Sequence, residues 1–249
     1  MPEPTPQSTS RPRVSDSEVS IGLLLPDVLG TYADSGNAMV LAQRLRWRGI
    51  PARVIQCTAE EEPPTTCDIY LLGGGEDVAQ LFAASWLRRH RALCGAIENR
   101  GVTLAVCAGL QILGNSMATP DGTEHPGAGL LDLTTKPRRH RATGHIVTEC
   151  HLPGVGRLVG FENHRGATTL GPGALPLGEV VSGVGNGTGA MGRKSAEGAL
   201  GGRIIGTYLH GPVLARNPAL ADHILAKATG QTLRDLEVPD QSALRATYL

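Results

Sequence analysis

The stretch Thr103–Gly114, TLAVCAGLQILG, decides the fold. It runs from an apolar segment rich in β-branched residues (Val102 to Val106) through Cys107 and the small pair Ala108-Gly109 into a second apolar segment that opens a helix. That order spells strand, tight turn, helix, with a thiol at the turn. It is the sulfur counterpart of the serine nucleophile elbow, in which a sharp turn lifts the reactive atom clear of a sheet edge. Small residues suit the neighbouring positions, because the backbone has to turn sharply and approach a substrate closely. A helix N-terminus just after the thiol also favours thiolate over thiol. A buried structural cysteine in a parallel strand shows the same pattern, so the rest of the chain has to decide between the two.

Upstream, the same alternation repeats. Val19–Leu25 reads as a strand ended by Pro26-Asp27, and a helix from about Gly36 to Arg48 follows, capped from Asp34 and Ser35 and stopped by Gly49. Met39, Val40, Leu41, Leu45 and Trp47 supply its apolar side and Arg44, Arg46 and Arg48 its wet one. Ala52–Gln56 and Asp68–Leu72 are further strands, the latter followed at once by Gly73-Gly74-Gly75. Glu76–Asn99 reads as largely helical, and the helix after Cys107 spans about Leu110 to Met117. Strand and helix thus alternate in the manner of parallel βαβ units, giving an α/β fold with a doubly wound, mostly parallel sheet. Ligands in such sheets bind at the carboxyl ends of the strands, where the glycine run and Cys107 both lie.

From Pro120 the chain becomes dense in Gly and Pro, with short alternating segments at Leu130–Thr135, Gly144–Cys150, Arg157–Phe161 and Glu179–Ser182. These read as an added antiparallel β layer. Arg203–Leu209 is another buried strand, ending at His210-Gly211-Pro212, and Asn217 caps a closing helix that Gly230 ends. The expected organisation is a leader over 1–18 rich in Pro, Ser and Thr and without fixed structure, one domain over 19–230, and a weakly patterned tail over 231–249.

Composition narrows the function. The 249 residues carry 23 Lys+Arg against 23 Asp+Glu, so no global field recruits nucleic acid or anionic lipid. Aromatic residues make up only 3%, too few for base-stacking platforms. No apolar run reaches the roughly 18 residues that span a bilayer, and the N-terminus has no apolar signal core, so a cytoplasmic location is expected. Five cysteines without a CxxC pair look like a reduced set rather than a disulfide framework. His140, His145 and His151 lack matching Cys or carboxylate spacing, so no metal site is expected.

A thiol needs a base, and His210 at a strand end can supply it. The glycine run could be a plain strand exit. It lacks the GK[ST] lysine of a nucleotide loop. CAGLQ, Cys107–Gln111, resembles the C-x-G-x-Q nucleophile motif of class I glutamine amidotransferases, and Gly73–Gly75 sits where that family places its oxyanion turn. The resemblance implies oxyanion contacts from the backbone N–H groups of Gly74, Gly75 and Ala108. DVLGTYADSGN, CAGLQILG, TPDGTE, RATGHIV, GFENHRG and GTYLHGPVLARNP, in that order, resemble the GatD family, the glutaminase subunits of MurT–GatD lipid II isoglutaminyl synthases, from about Ser20 to Gly230. That resemblance implies Cys107 as nucleophile, His210 as general base and then acid, and Arg141 as the cation holding the glutamine α-carboxylate. Gln111, Asn163 and His164 become substrate or wall contacts. Asp34 and Asn37 become helix caps in a motif that can also face a partner.

It also implies a Mur-ligase-like, ATP-dependent MurT partner that uses the ammonia to amidate D-glutamate of lipid II. ATP and magnesium belong to that partner and no cofactor to this chain, which has no Walker motif. Two other readings share the scaffold: an amidotransferase for another acceptor, such as the cobyric acid synthase type, and a non-catalytic binding protein. One departure stands out. Class I enzymes carry His-x-Glu, but Gly211-Pro212-Val213 follows His210 here, a gap that the GatD family shares. The orienting carboxylate is therefore expected from the partner, with Glu162 and Asp222 as alternatives within the chain.

Overall fold

The protein is described from a computed structural model over residues 18–30, 35–187 and 195–238. The chain begins with β1 (Val19–Leu24), α1 (Ser35–Arg46), β2 (Ala52–Cys57), β3 (Ile69–Leu72), α2 (Asp77–Arg89), α3 (Arg91–Asn99), β4 (Val102–Val106) and α4 (Ala108–Leu113). It continues through β5 (Ser116–Ala118), β6 (Glu124–Pro126), β7 (Leu133–Cys150), β8 (Arg157–Leu170), β9 (Gly178–Ser182), β10 (Ala196–Glu197), β11 (Ala199–Gly201) and β12 (Ile204–Thr207). It closes with α5 (Val213–Arg216) and α6 (Pro218–Thr229).

The first sheet has the order β11-β12-β4-β3-β1-β2, parallel except for the edge strand β11. Every residue of β3, β4 and β12 is buried, which is why these strands read as unbroken apolar runs rather than alternating ones. Their carboxyl ends place Gly73, Cys107 and Tyr208 side by side. The second sheet, β10-β9-β7-β5-β6 with β8 paired to β7, packs beside that edge and is mostly antiparallel. The doubly wound sheet with an added antiparallel layer is thus the observed architecture.

Several sequence expectations need correction. The helix expected over Glu76–Asn99 is two, broken where His90 leaves helical geometry (φ −99°, ψ 67°). The helix after Cys107 stops at Leu113, not Met117, because Gly114 is extended and Asn115 N–H bonds the Leu133 carbonyl at 2.8 Å, turning the chain into β5. Leu130–Thr135 and Gly144–Cys150 are not separate short strands. Both lie largely within the single strand β7, which runs through Pro137 and Gly144 and whose pairing with β8 shifts register between Pro137 and Ala142. Arg157–Phe161 likewise extends to Leu170.

The helix expected over 36–48 buries Leu41 and Leu45 as expected but departs from expectation at four positions. Met39 and Trp47 are exposed, whereas Arg44 and Arg48 are buried. Both arginines converge on Asp222 of α6, Arg44 through two hydrogen bonds of 2.8 and 2.5 Å and Arg48 at 3.0 Å. An ion cluster thus ties this end of α1 to α6, since a buried guanidinium needs a paired carboxylate, while Arg46 stays exposed as expected. Asn217 precedes α6 as expected, but its side chain does not cap that helix. It clamps β8 instead, accepting from Val159 N–H at 2.9 Å and donating to the Val159 and Val213 carbonyls at 2.8 Å each. Asn37, read as a cap of its own helix, accepts from Leu214 N–H at 3.0 Å and so holds the start of α5. Asp34, like most of the leader and of the tail, lies outside the described residues.

Glu197 joins the two sheets. From β10 its Oε1 accepts Thr207 Oγ1–H at 2.9 Å and Tyr208 N–H at 2.7 Å, at the end of β12. Burial pushes its carboxyl from 4.5 up to about 7, and the nearby Glu162 charge adds to this against the two hydrogen bonds. The folded state therefore holds a proton that the unfolded chain releases first. Glu197's contribution to stability is full below about pH 4.5 and is lost as pH rises through about 7. Glu197→Gln keeps the accepting oxygen and removes this slope. In urea unfolding, the variant should gain on the parent by up to about 3 kcal/mol between pH 5 and pH 8. Parallel pH profiles for the two proteins would contradict this.

Candidate active site

β4 delivers Cys107 to the carboxyl edge of the sheet, and the backbone there turns through φ 54°, ψ −108°. Cys107 and Leu25 are the non-glycine residues with positive φ among those described. Such a conformation persists only where its surroundings over-determine it. Here Cys107 N–H bonds the Thr207 carbonyl at 2.8 Å and the Cys107 carbonyl receives Gln111 N–H at 3.2 Å, so sheet and helix grip the residue from both sides. Gly109 explains the motif's small residue. A Cβ there would lie 2.6 Å from the Leu72 carbonyl oxygen and 3.1 Å from that of Gly73. Only glycine lets the first turn of α4 seat itself against the end of β3.

Cys107 opens onto a cavity of about 130 Å³. Gly75, Ala108, Gln111, Arg141, Asn163 and His164, all singled out from sequence, share its lining. Two expected residues do not line it. Gly74 lies just behind Gly75, and His210 lies beyond the end of β12. There His210 is buried and pairs its backbone with Phe161 of β8, donating N–H to the Phe161 carbonyl at 2.7 Å. Because β12 and β4 are parallel neighbours in register, Thr207 against Val106, His210 emerges from the same sheet edge as the thiol.

The far wall comes from the long β7–β8 hairpin. Where the register shifts, residues 138–141 bulge opposite Arg165, and Arg141 reaches the cavity from that bulge. Its Nη1 donates to Asn163 Oδ1 at 2.8 Å, and Nη2 stands 3.9 Å from Glu76 Oε2 across the mouth. His164 is buried deeper, with Nδ1 3.1 Å from the Gly166 carbonyl and Nε2 3.4 Å from Glu162 Oε2. Glu162 also accepts Val184 N–H at 2.8 Å and Gly185 N–H at 2.9 Å, so both its oxygens are engaged. Asp222 is engaged too, with Arg44 and Arg48.

Sequence reasoning missed Gln80 and Thr135, which line the cavity, and Tyr208 behind it. Gln80 Nε2 lies 2.5 Å from Gln111 Oε1, and Gln111 Nε2 lies 2.9 Å from the Tyr208 hydroxyl. An isolated glutamine in a helix and a tyrosine in an apolar strand carry no signal that distinguishes them from ordinary packing. Burial pushes the thiols of Cys57, Cys67, Cys94 and Cys150 upward, Cys57 to about 11, so those four stay protonated and inert. Among the described residues no three His, Cys, Asp or Glu side chains form a metal-binding group, and no helix is long and apolar enough to cross a membrane.

Comparison with known proteins agrees with this geometry. Residues 20–218 match the CobB/CobQ-like glutamine amidotransferase domain. The chain is 37% identical to the GatD subunit of lipid II isoglutaminyl synthase (glutamine-hydrolyzing) from Staphylococcus aureus, covering 92% of this chain and 93% of that one. It is 31% identical to the corresponding subunit of Streptococcus pneumoniae, over 89% and 85% of the two chains. A cobyric acid synthase from Gloeobacter violaceus is 36% identical over 45% of this chain and 21% of its own length. In fold, the chain resembles the glutaminase domain of Trypanosoma brucei CTPS, solved with bound acivicin (TM-score 0.53, 12% identity, 87% and 96% covered). It also resembles a glutamine amidotransferase from Thermotoga maritima (TM-score 0.51, 15% identity, 85% and 82% covered).

The tight seat of α4 makes a prediction. Gly109→Ala should destabilise the protein by about 1–3 kcal/mol in urea unfolding and slow alkylation of Cys107 by iodoacetamide. Gly95→Ala, on α3 with open space around its Cβ, should be neutral or stabilising by up to about 1 kcal/mol. Equal behaviour of the two variants would contradict the assignment of Gly109 as a packing requirement of the turn.

Proposed function

The chain belongs to the CobB/CobQ-like glutamine amidotransferase family and, within it, to the GatD family. From that premise we propose that it is the glutamine-hydrolysing subunit of a lipid II isoglutaminyl synthase, acting through a thioester on Cys107. The observation that carries the reading is Cys107 itself. It is a cysteine held at positive φ between a buried strand and a helix N-terminus, opening onto a cavity walled by Arg141.

The proposed steps are these. Arg141 grips the α-carboxylate of L-glutamine, for which a guanidinium offers paired donors. Glu76 and Asp77 at the same mouth supply the opposite charge that an α-ammonium needs. The substrate's side-chain amide then points down the cavity toward Cys107. His210 takes the thiol proton as the sulfur attacks the amide carbon, and the backbone N–H groups of Gly75 and Ala108, both on the cavity lining, receive the developing oxyanion. Collapse of the tetrahedral species breaks the C–N bond, and His210 returns its proton to the leaving ammonia. Water, deprotonated by His210, attacks the thioester. Glutamate leaves and the thiol is regenerated.

The ammonia passes to a Mur-ligase-like MurT partner that uses ATP and magnesium to amidate the D-glutamate of lipid II. The chain spans 93% and 85% of the length of the two GatD subunits but only 21–35% of the cobyric acid synthases it matches, which favours this acceptor. A partner carboxylate completes the catalytic set beside His210, and the engagement of Glu162 and Asp222 in structural contacts supports that assignment.

In the reconstituted complex, Cys107→Ala should lower glutamine-driven amidation by about a thousandfold or more while leaving amidation from ammonium salts intact. Glutamine hydrolysis by the parent chain should also rise when the partner is added. Retained glutamine use in Cys107→Ala would contradict the thioester. Full glutaminase activity without any partner would contradict the partner-supplied carboxylate.

A further inference from the structure

Behind the cavity lies a hydrogen-bonded relay that the mechanism above does not use. Tyr208, fully buried at the end of β12, has its hydroxyl 2.9 Å from Gln111 Nε2 and 2.6 Å from Thr168 Oγ1. Gln111 continues to Gln80 at 2.5 Å, and Thr168 continues to Thr135 at 2.9 Å. Both ends of this chain, Gln80 and Thr135, line the cavity, as does Gln111 in its middle. The Tyr208 ring stacks on His164, another lining residue, with centroids 3.7 Å apart and planes 15° from parallel. Its backbone N–H is held by Glu197 at 2.7 Å.

A hydroxyl suits the hub because it accepts from the Gln111 amide while keeping its own proton to donate to Thr168. Gly166 shows that the contact is built into the fold. A Cβ at this position would lie 2.5 Å from the Tyr208 hydroxyl and overlap Gln111 Nε2, so the last glycine of GFENHRG leaves the space in which the two meet.

We propose that Tyr208 is a positioning residue for glutamine binding, its hydroxyl locking the Gln111 amide and its ring fixing His164 against the substrate cavity. Tyr208 does not line the cavity and acts through Gln111. The proposal rests on the reading of the cavity as a glutamine site. It adds that the strand carrying His210 also sets the substrate wall, two residues earlier.

The test is calorimetric titration of L-glutamine into the Cys107→Ala chain, which cannot turn the substrate over. Tyr208→Phe keeps the ring, the stack and the volume and removes only the hydroxyl. It should weaken glutamine binding about tenfold, because the released Gln111 amide has to be ordered again when the substrate binds. In a Gln111→Ala background the same substitution should change affinity by no more than about twofold, because the group it acts through is gone. Thr168→Val removes the next member of the relay. It should give a smaller loss with the same dependence on Gln111, and it serves as the readout if Tyr208→Phe does not fold. A Tyr208→Phe affinity within about twofold of the parent, or losses that multiply with Gln111→Ala, would overturn the proposal while leaving the glutamine site intact. Absence of glutamine binding by the Cys107→Ala chain itself would overturn the site reading and the proposal with it.

Discussion

The site depends on one backbone constraint: the turn at Cys107. A non-glycine residue at φ 54° costs roughly 1–3 kcal/mol relative to an ordinary conformation. The fold offsets that cost from three directions. β4 is buried between β3 and β12, the Cys107 N–H completes the ladder with Thr207, and α4 is drawn against β3 at a distance that Gly109 alone permits. The positive φ is thus a consequence of packing, and the exposure of sulfur to the cavity follows from it.

The second constraint is that neither sheet makes the site by itself. The parallel sheet presents Cys107, the glycine turn and His210 along one edge. The β7–β8 hairpin presents Arg141, Asn163 and His164 as the facing wall. What fixes their separation is a small set of polar contacts where the sheets meet. Phe161 pairs with His210, Glu197 holds the end of β12, Asn217 clamps β8, and the Tyr208 hydroxyl reaches both Gln111 and Thr168. Glu197, Asn217 and Tyr208 are buried and hydrogen-bonded, so they specify one geometry where apolar packing alone would tolerate several. A cavity wall held in this way stands at a defined distance from Cys107, the precision that the proposed amide attack requires.

Much of this was legible in the sequence, for physical reasons. The parallel strands are apolar on both faces, and the glycine run and cysteine sit where strands end, so the parallel core and the tight turn at Cys107 could be read directly. Arg141 could be placed only through resemblance, because the bulge that aims it follows from the register of two strands that share no local signal. Arg44 and Arg48 were misread because periodicity assigns charge to solvent, and the counter-charge, Asp222, lies far along the chain. Asn217 and Asn37 were recognised as capping types, yet their amides bond neighbouring elements across the fold. Tyr208 and Glu197 were invisible for the same reason: their roles are set by partners distant in sequence.

The central claim is that Cys107 forms a thioester with the side chain of glutamine. Mass spectrometry of the chain, acid-quenched during turnover of L-glutamine with its ligase partner present, tests it most directly. The account predicts a γ-glutamyl adduct on the peptide that contains Cys107, absent when His210 is replaced by alanine. Glutamine consumed with no adduct on that peptide, or with the adduct on another cysteine, would contradict it.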